Sequence, residues 1–83
     1  MSEVFARVAG LIGQVTDVPV EQIGTDSRFD ALANWTSYTA LRLLTTIEDG
    51  LGVRLDLQEY FAIHDVRGLV DAVSVGLGER GAA

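Results

Sequence analysis

Apolar residues along this chain recur in steps of three and four, the spacing that lines one face of a helix. The strict alternation of a half-buried strand is absent. The first such stretch has Val4, Val8, Leu11, Ile12 and Val15 on its stripe and Phe5 beside them. It predicts a helix from Glu3 to Thr16 with Ser2 as cap, and Glu3 lies in the first turn, where the helix dipole favours an acid. Gly10 and Gly13 each cost that helix up to about 1 kcal/mol relative to alanine, and residues so small allow another helix to approach closely. Pro19 ends the element and restricts Val18 before it.

From Glu21 to Asn34 the pattern breaks into a long connection with turn chemistry at Gly24-Thr25-Asp26-Ser27. Ile23, Phe29 and Leu32 are its apolar points. They are expected to pin the connection to the core, with a short helical turn between Ser27 and Leu32. A pinned loop of this length is more often functional than incidental. Helical spacing returns at Tyr38, Leu41, Leu44, Ile47 and Leu51, predicting a second helix from Ser37 to Asp49. Thr36 is its N-cap, and Gly50 or Gly52 supplies the left-handed residue that closes it. Val53 to Leu55 reads as extended. Asp56 and Glu59 form the spacing of a capping box at the start of a short helix from Leu57 to Phe61. Asp65 caps a last helix from Val66 to Leu77, with Val66, Leu69, Val70, Val73 and Leu77 on its face, and the tail from Gly78 to Ala83 is expected to fray. The fold class is all-α: a small four-helix bundle of three main helices and one short one, with a long loop between helices one and two.

Composition narrows the function. The 83 residues suit a single domain spanning 1–83, and a chain this short buries only about 60% of its unfolded surface. Little room remains for an enclosed catalytic pocket. No apolar run has the length of a membrane span and the first residues lack a signal peptide, so a cytoplasmic protein is expected. Net charge is −6, with twelve acids against six basic residues. All the basic residues are arginines and they are scattered, so no patch exists to follow nucleic acid. An acidic chain suits partners with basic docking surfaces, and the acids at Asp26, Asp30, Glu48, Asp49, Asp56 and Glu59 either serve such docking or are simply solvated. Cysteine is absent, which excludes disulfides, thiolate metal sites and cysteine nucleophiles. Any thiol on this protein must be added to it. With His64 as the one histidine and no lysine, neither catalytic residues nor a metal site can be assigned.

The chemically suggestive residue is Ser37. At the start of the second helix its hydroxyl faces solvent, where unpaired N–H groups and the positive end of the helix dipole favour a phosphodiester. Its bland alternative is an ordinary first-turn hydroxyl. Trp35 is either a core anchor or a partner contact, and His64 is a helix-start residue or a group titrating near neutrality. Two motif matches carry nothing. Gly76-Leu77-Gly78-Glu79-Arg80-Gly81 spells a dinucleotide fingerprint outside any βαβ unit, and Asn34-Trp35-Thr36 spells a glycosylation acceptor without a secretory signal. Leu43, Leu44, Ile47, Phe61, Ile63 and Val70 either line an apolar cavity or form the core that a bundle needs.

Taken together, Trp35-Thr36-Ser37-Tyr38, then Leu41, Leu44, Ile47-Glu48, Leu51-Gly52-Val53, Leu55, Ile63 and Val66, with Phe29 upstream, resemble the acyl carrier protein family. The register holds without a gap from Val4 to Val73. In that family the serine stands within Asp-Ser-Leu, whereas Thr36 and Tyr38 flank it here. Arg42 also departs, at a position of the second helix where an acid is common, and Thr45 and Thr46 replace apolar residues.

The resemblance implies a 4'-phosphopantetheine arm, taken from coenzyme A by a phosphopantetheinyl transferase and attached to Ser37, which holds acyl groups as thioesters. The domain itself would catalyse nothing. Trp35, Thr36, Tyr38, Leu41, Arg42, Thr45 and Glu48 would meet the partners: the transferase, loading ligases or acyltransferases, and processing enzymes such as a ketosynthase. The departures imply dedicated partners, as in a polyketide-type pathway, and the start methionine and length argue for a free-standing carrier, which is expected to be a monomer. Two alternatives stay open: an aminoacyl or peptidyl carrier of a nonribosomal pathway, and a carrier-like adaptor without the arm.

Overall fold

The computed structural model describes residues 3–82, with side chains through Gly78. Four helices follow in order: α1 (Glu3–Thr16), α2 (Ser37–Leu51), α3 (Leu57–Ala62) and α4 (Val66–Ala82). No strand occurs among the described residues. The expected cap at Ser2 lies outside them. α1 packs against both α2 and α4. Val8 and Ile12 from α1, Leu43 and Ile47 from α2, and Val66, Leu69 and Val73 from α4 are fully buried between them.

α1 ends where Asp17 takes a left-handed conformation (φ 61°) and its N–H bonds the Gly13 carbonyl at 2.9 Å. The smallness of Gly13 serves this turn and not a second helix. A Cβ there would lie 3.1 Å from the Val18 carbonyl oxygen, whereas nothing approaches Gly10 within 4 Å. The loop that follows carries two 3₁₀ turns, Val20–Gln22 and Phe29–Ala31, the second inside the segment where a helical turn was expected. Ile23 and Phe29 are buried and Leu32 is half-buried, so the apolar points do pin the loop.

Main-chain bonds finish the attachment. The Phe29 N–H donates to the His64 carbonyl at 3.0 Å, Val66 N–H to Ser27 at 2.9 Å and Arg67 N–H to Thr25 at 3.0 Å. Gly68 N–H then donates to Asp65 Oδ1 at 2.9 Å, as the predicted cap requires. The free N–H groups that open any helix are therefore satisfied at the start of α4, two of them by the long loop.

α2 is rotated relative to the predicted stripe. Its buried face is Thr39, Ala40, Leu43, Leu44 and Ile47, while Tyr38 is 71% exposed and Leu41 46%. The buried Thr39 hydroxyl sets this rotation by donating to the Asn34 carbonyl at 2.8 Å. The helix runs two residues beyond Asp49 because Gly50 stays helical and Gly52, at φ 68°, supplies the left-handed close. α3 extends one residue past Phe61 and is capped by Asp56, whose Oδ1 accepts from Glu59 N–H at 3.0 Å. α4 continues to Ala82 in place of the fraying expected after Leu77; no proline or left-handed residue interrupts it. Ala83 lies outside the described residues.

Short α3 is fastened by Tyr60, which is buried and donates its hydroxyl to the Ala40 carbonyl of α2 at 2.5 Å. Burial holds the phenol well above its usual pKa, because the phenolate loses hydration. Tyr60→Phe should therefore cost about 1 kcal/mol in denaturant unfolding. The raised folded pKa fixes the sign of a pH effect. Unfolded tyrosine ionises near pH 10, so wild-type stability falls as pH rises above about 10. Tyr60→Phe should lack that component of the alkaline slope.

Candidate functional site

The start of α2 is held by a chain of small polar groups. Asn34 takes a left-handed conformation (φ 62°), which asparagine tolerates better than most residues. Its side-chain amide donates to the Thr16 carbonyl at the end of α1, at 3.0 Å. Its own carbonyl accepts from the Thr39 hydroxyl. Thr36, extended at φ −137°, caps α2: its Oγ1 accepts from Thr39 N–H at 3.1 Å and lies 3.1 Å from the Thr39 hydroxyl. With the Thr39 proton committed to Asn34, the Thr36 hydroxyl is the donor in that pair.

Ser37 is thereby fixed as the first residue of α2, with an exposed side chain. Its N–H and that of Tyr38 have no hydrogen-bond partner among the described residues, nor does its Oγ. The contrast with α4, where the loop takes up the corresponding donors, is direct. Two N–H groups and the positive end of a fifteen-residue helix face solvent beside an exposed hydroxyl. That arrangement accommodates a phosphate ester.

Next to Ser37 opens a cleft of about 320 Å³. Trp35, Thr36, Ser37 and Ala40 line one side of it, with Phe29, Tyr60, Phe61 and Ile63 completing the wall. Trp35 is half-buried and stacks on Phe29 at 4.9 Å between ring centroids, 18° from parallel. Tyr60 and Phe61 meet edge to face at 5.4 Å. Phe61 is 47% exposed, and Ile63 is half-buried. Of the residues considered for an apolar cavity, only Phe61 and Ile63 belong to this cleft. Leu43, Leu44 and Ile47 are buried core, and Val70 packs half-buried against that core.

The remaining candidates divide between the outer face of α2 and its far end. Tyr38, Leu41, Arg42 and Thr45 share a shallow exposed surface with Thr46. The Arg42 guanidinium lies over the Tyr38 ring at 5.9 Å, within cation–π range. Thr45 and Thr46 return their hydroxyls to the carbonyls of Leu41 and Arg42, so this face offers methyl groups, the Tyr38 ring and one cation. Glu48 stands apart from it. Its Oε2 accepts from Leu55 N–H at 3.2 Å and its carbonyl from Gly52 N–H at 3.0 Å, which binds the carboxylate into the turn after α2. Of the acids grouped as a docking surface, Asp26 pairs with Arg67 at 3.1 Å and Asp30 with Arg28 at 3.3 Å, and Asp56 is spent on its cap.

Sequence reasoning missed Asn34, Thr39 and Tyr60. The usable signal was an asparagine just ahead of a capping threonine with a second threonine three residues on, the pattern of local side-chain to backbone bonding. Among the described residues no group of His, Cys, Asp or Glu is placed to hold a metal ion, and no helix is long and apolar enough to cross a membrane.

With this geometry in hand, comparison with known families gives one result. The profile of the family described as Phosphopantetheine attachment site matches residues 6–73, most of the chain and all of the site. No curated protein sequence matches.

Thr36→Ala removes the cap and should cost about 1 kcal/mol in chemical unfolding, whereas Thr36→Asp should stay within a few tenths of wild type, because both side chains accept the Thr39 N–H.

Proposed function

The chain belongs to the phosphopantetheine attachment family, a domain of carrier proteins, and from that premise we propose that Ser37 bears the arm. Support comes from the exposed Oγ at the first position of α2 and from the N–H groups of Ser37 and Tyr38, which have no partner among the described residues. Those donors and the helix dipole would hold the phosphodiester. In the attachment step the Ser37 oxygen bonds to the phosphorus of the pantetheine phosphate in coenzyme A. The P–O bond to the adenosine portion breaks, adenosine 3',5'-bisphosphate leaves, and the serine proton passes to a base of the transferase. Phosphopantetheine supplies, when bound, a thiol that holds acyl groups as thioesters. The residues of this chain anchor and orient it, and other enzymes do the chemistry.

The most specific form of the proposal is a monomeric, cytoplasmic acyl carrier of a polyketide-type pathway. It docks through the outer face of α2 on its transferase, its loading ligase or acyltransferase, and a ketosynthase or similar processing enzyme. Tyr38, Leu41, Arg42 and Thr45 are exposed on that face, with Trp35 and Thr36 at its start. Arg42 over Tyr38 gives the face a cation, which favours dedicated partners offering an acid over enzymes that read an acidic helix. Glu48 contributes to recognition, on this reading, by fixing the turn that ends α2.

Incubation with coenzyme A and a broad-specificity phosphopantetheinyl transferase should add the mass of one phosphopantetheine and one titratable thiol. The thiol count is clean because the chain has no cysteine. Ser37→Ala should abolish both while leaving unfolding within about 0.5 kcal/mol of wild type, as expected for an exposed side chain. No gain of mass, with the cognate transferase as well, would sink the assignment and leave the adaptor reading.

A further inference from the structure

A second apolar surface lies along the first half of α1. Phe5, Ala6 and Ala9 of α1 and Val20 and Ile23 of the loop line a groove of about 570 Å³, with Glu3 and Glu21 completing the lining. None of these residues belongs to the outer face of α2 or to the cleft beside Ser37. We propose that the groove docks a basic amphipathic segment of a partner protein, one that presents apolar side chains between arginines or lysines. This stands independently of attachment at Ser37.

The groove has a fixed shape. The turn Val20–Gln22 is closed by Gln22 N–H to the Pro19 carbonyl at 2.9 Å and Ile23 N–H to the Val20 carbonyl at 3.0 Å. It seats on α1 because residue 13 is glycine: a Cβ there would stand 3.4 Å from Val20 Cγ2. Ala9 and Ile23 are buried and Phe5 packs half-buried against the core, which makes an apolar floor. Above it Ala6 is exposed and Val20 keeps 48% of its surface in water. Covering them removes that contact, and the rigid walls lower the ordering cost of docking.

Charge selects the occupant. Each wall contributes one acid, Glu3 from α1 and Glu21 from the turn, and no arginine is in the lining. Neither carboxylate has an ion-pair or hydrogen-bond partner among the described residues, whereas Asp26 and Asp30 are paired with arginines. Glu3 also complements the dipole of α1; Glu21 stands in a three-residue turn that has little dipole to complement. Two such acids repel fatty acids, anionic lipid surfaces and nucleic acid alike, and attract cations that flank an apolar side chain. The outer face of α2 has the opposite sign, with Arg42 over Tyr38, so one segment does not suit both. Ala6 lies about 15 Å along α1 from Thr16, whose carbonyl holds the start of α2 through Asn34. Occupancy of the groove therefore leaves Ser37 open.

The probe is a synthetic helical peptide with leucines at i, i+3 and i+7 and arginines beside them, titrated into the isotope-labelled protein. Backbone amide resonances of Ala6, Ala9, Val20, Glu21 and Ile23 should shift, with those of Tyr38 to Thr46 unmoved. A saturating amount should leave the rate of phosphopantetheine attachment unchanged. Glu21→Arg and Val20→Ser should each weaken binding about tenfold, and a peptide with glutamates for the arginines should not bind. If Val20→Ser disturbs the turn, Ala6→Gln replaces it, since that side chain is exposed on α1. Shifts centred on α2 or spread over all the acids, undiminished binding in the variants, or no binding at about millimolar peptide would each overturn the proposal. Attachment at Ser37, decided by intact mass, stands or falls separately.

Discussion

The bundle's working end depends on one asparagine. Asn34 bonds the last carbonyl of α1 through its side chain, and its own carbonyl takes the buried Thr39 hydroxyl. That single residue therefore sets where α2 begins relative to α1 and how α2 is turned about its axis. The cap at Thr36, the exposure of Ser37 and the outward position of Tyr38 all follow from the rotation. The left-handed backbone at Asn34 is the cost, and asparagine bears it with little strain. Within a small bundle, where apolar packing alone tolerates several rotations of a helix, directional bonds decide among them.

Which parts of this were legible in advance can be read from the helices themselves. α1 appears with the predicted bounds because its stripe is unbroken and a proline follows. Asp56 and Asp65 cap as their spacing required. The stripe read for α2 is turned by about a quarter of a turn from its buried face, because Tyr38 and Leu41 are apolar enough to join a stripe with Leu44 and Ile47, while Thr39 is polar and does not enter it. Periodicity ranks residues by hydropathy and has no way to see that a threonine can be buried when its hydroxyl finds a carbonyl. The place of Ser37 at the start of α2 could be read because the signal there is a position, the first turn of a helix. The cleft could not, because Phe29, Trp35 and the Tyr60–Ile63 region meet only after the long loop has folded over the bundle.

The outer face of α2 and the loop differ in how they carry charge. Asp26 and Asp30 of the loop are paired with arginines at the surface, bonds worth little in stability that nonetheless reduce local charge. On α2 the cation sits over an aromatic ring and the threonine hydroxyls turn back on their own helix. The net acidity of the chain is thus not concentrated on the face that surrounds Ser37, which offers apolar shape and one positive charge.

The long loop is fastened to the junction of α3 and α4 by Thr25, Ser27 and Phe29 through main-chain atoms. Bonds of that kind read no side chain, proline at the donors excepted. The exposed residues Arg28, Asp30, Ala31 and Ala33 can therefore change from generation to generation without loosening the loop. Substitution at this edge is buffered by the backbone, so the side chains there are free to differ while the start of α2 keeps its place.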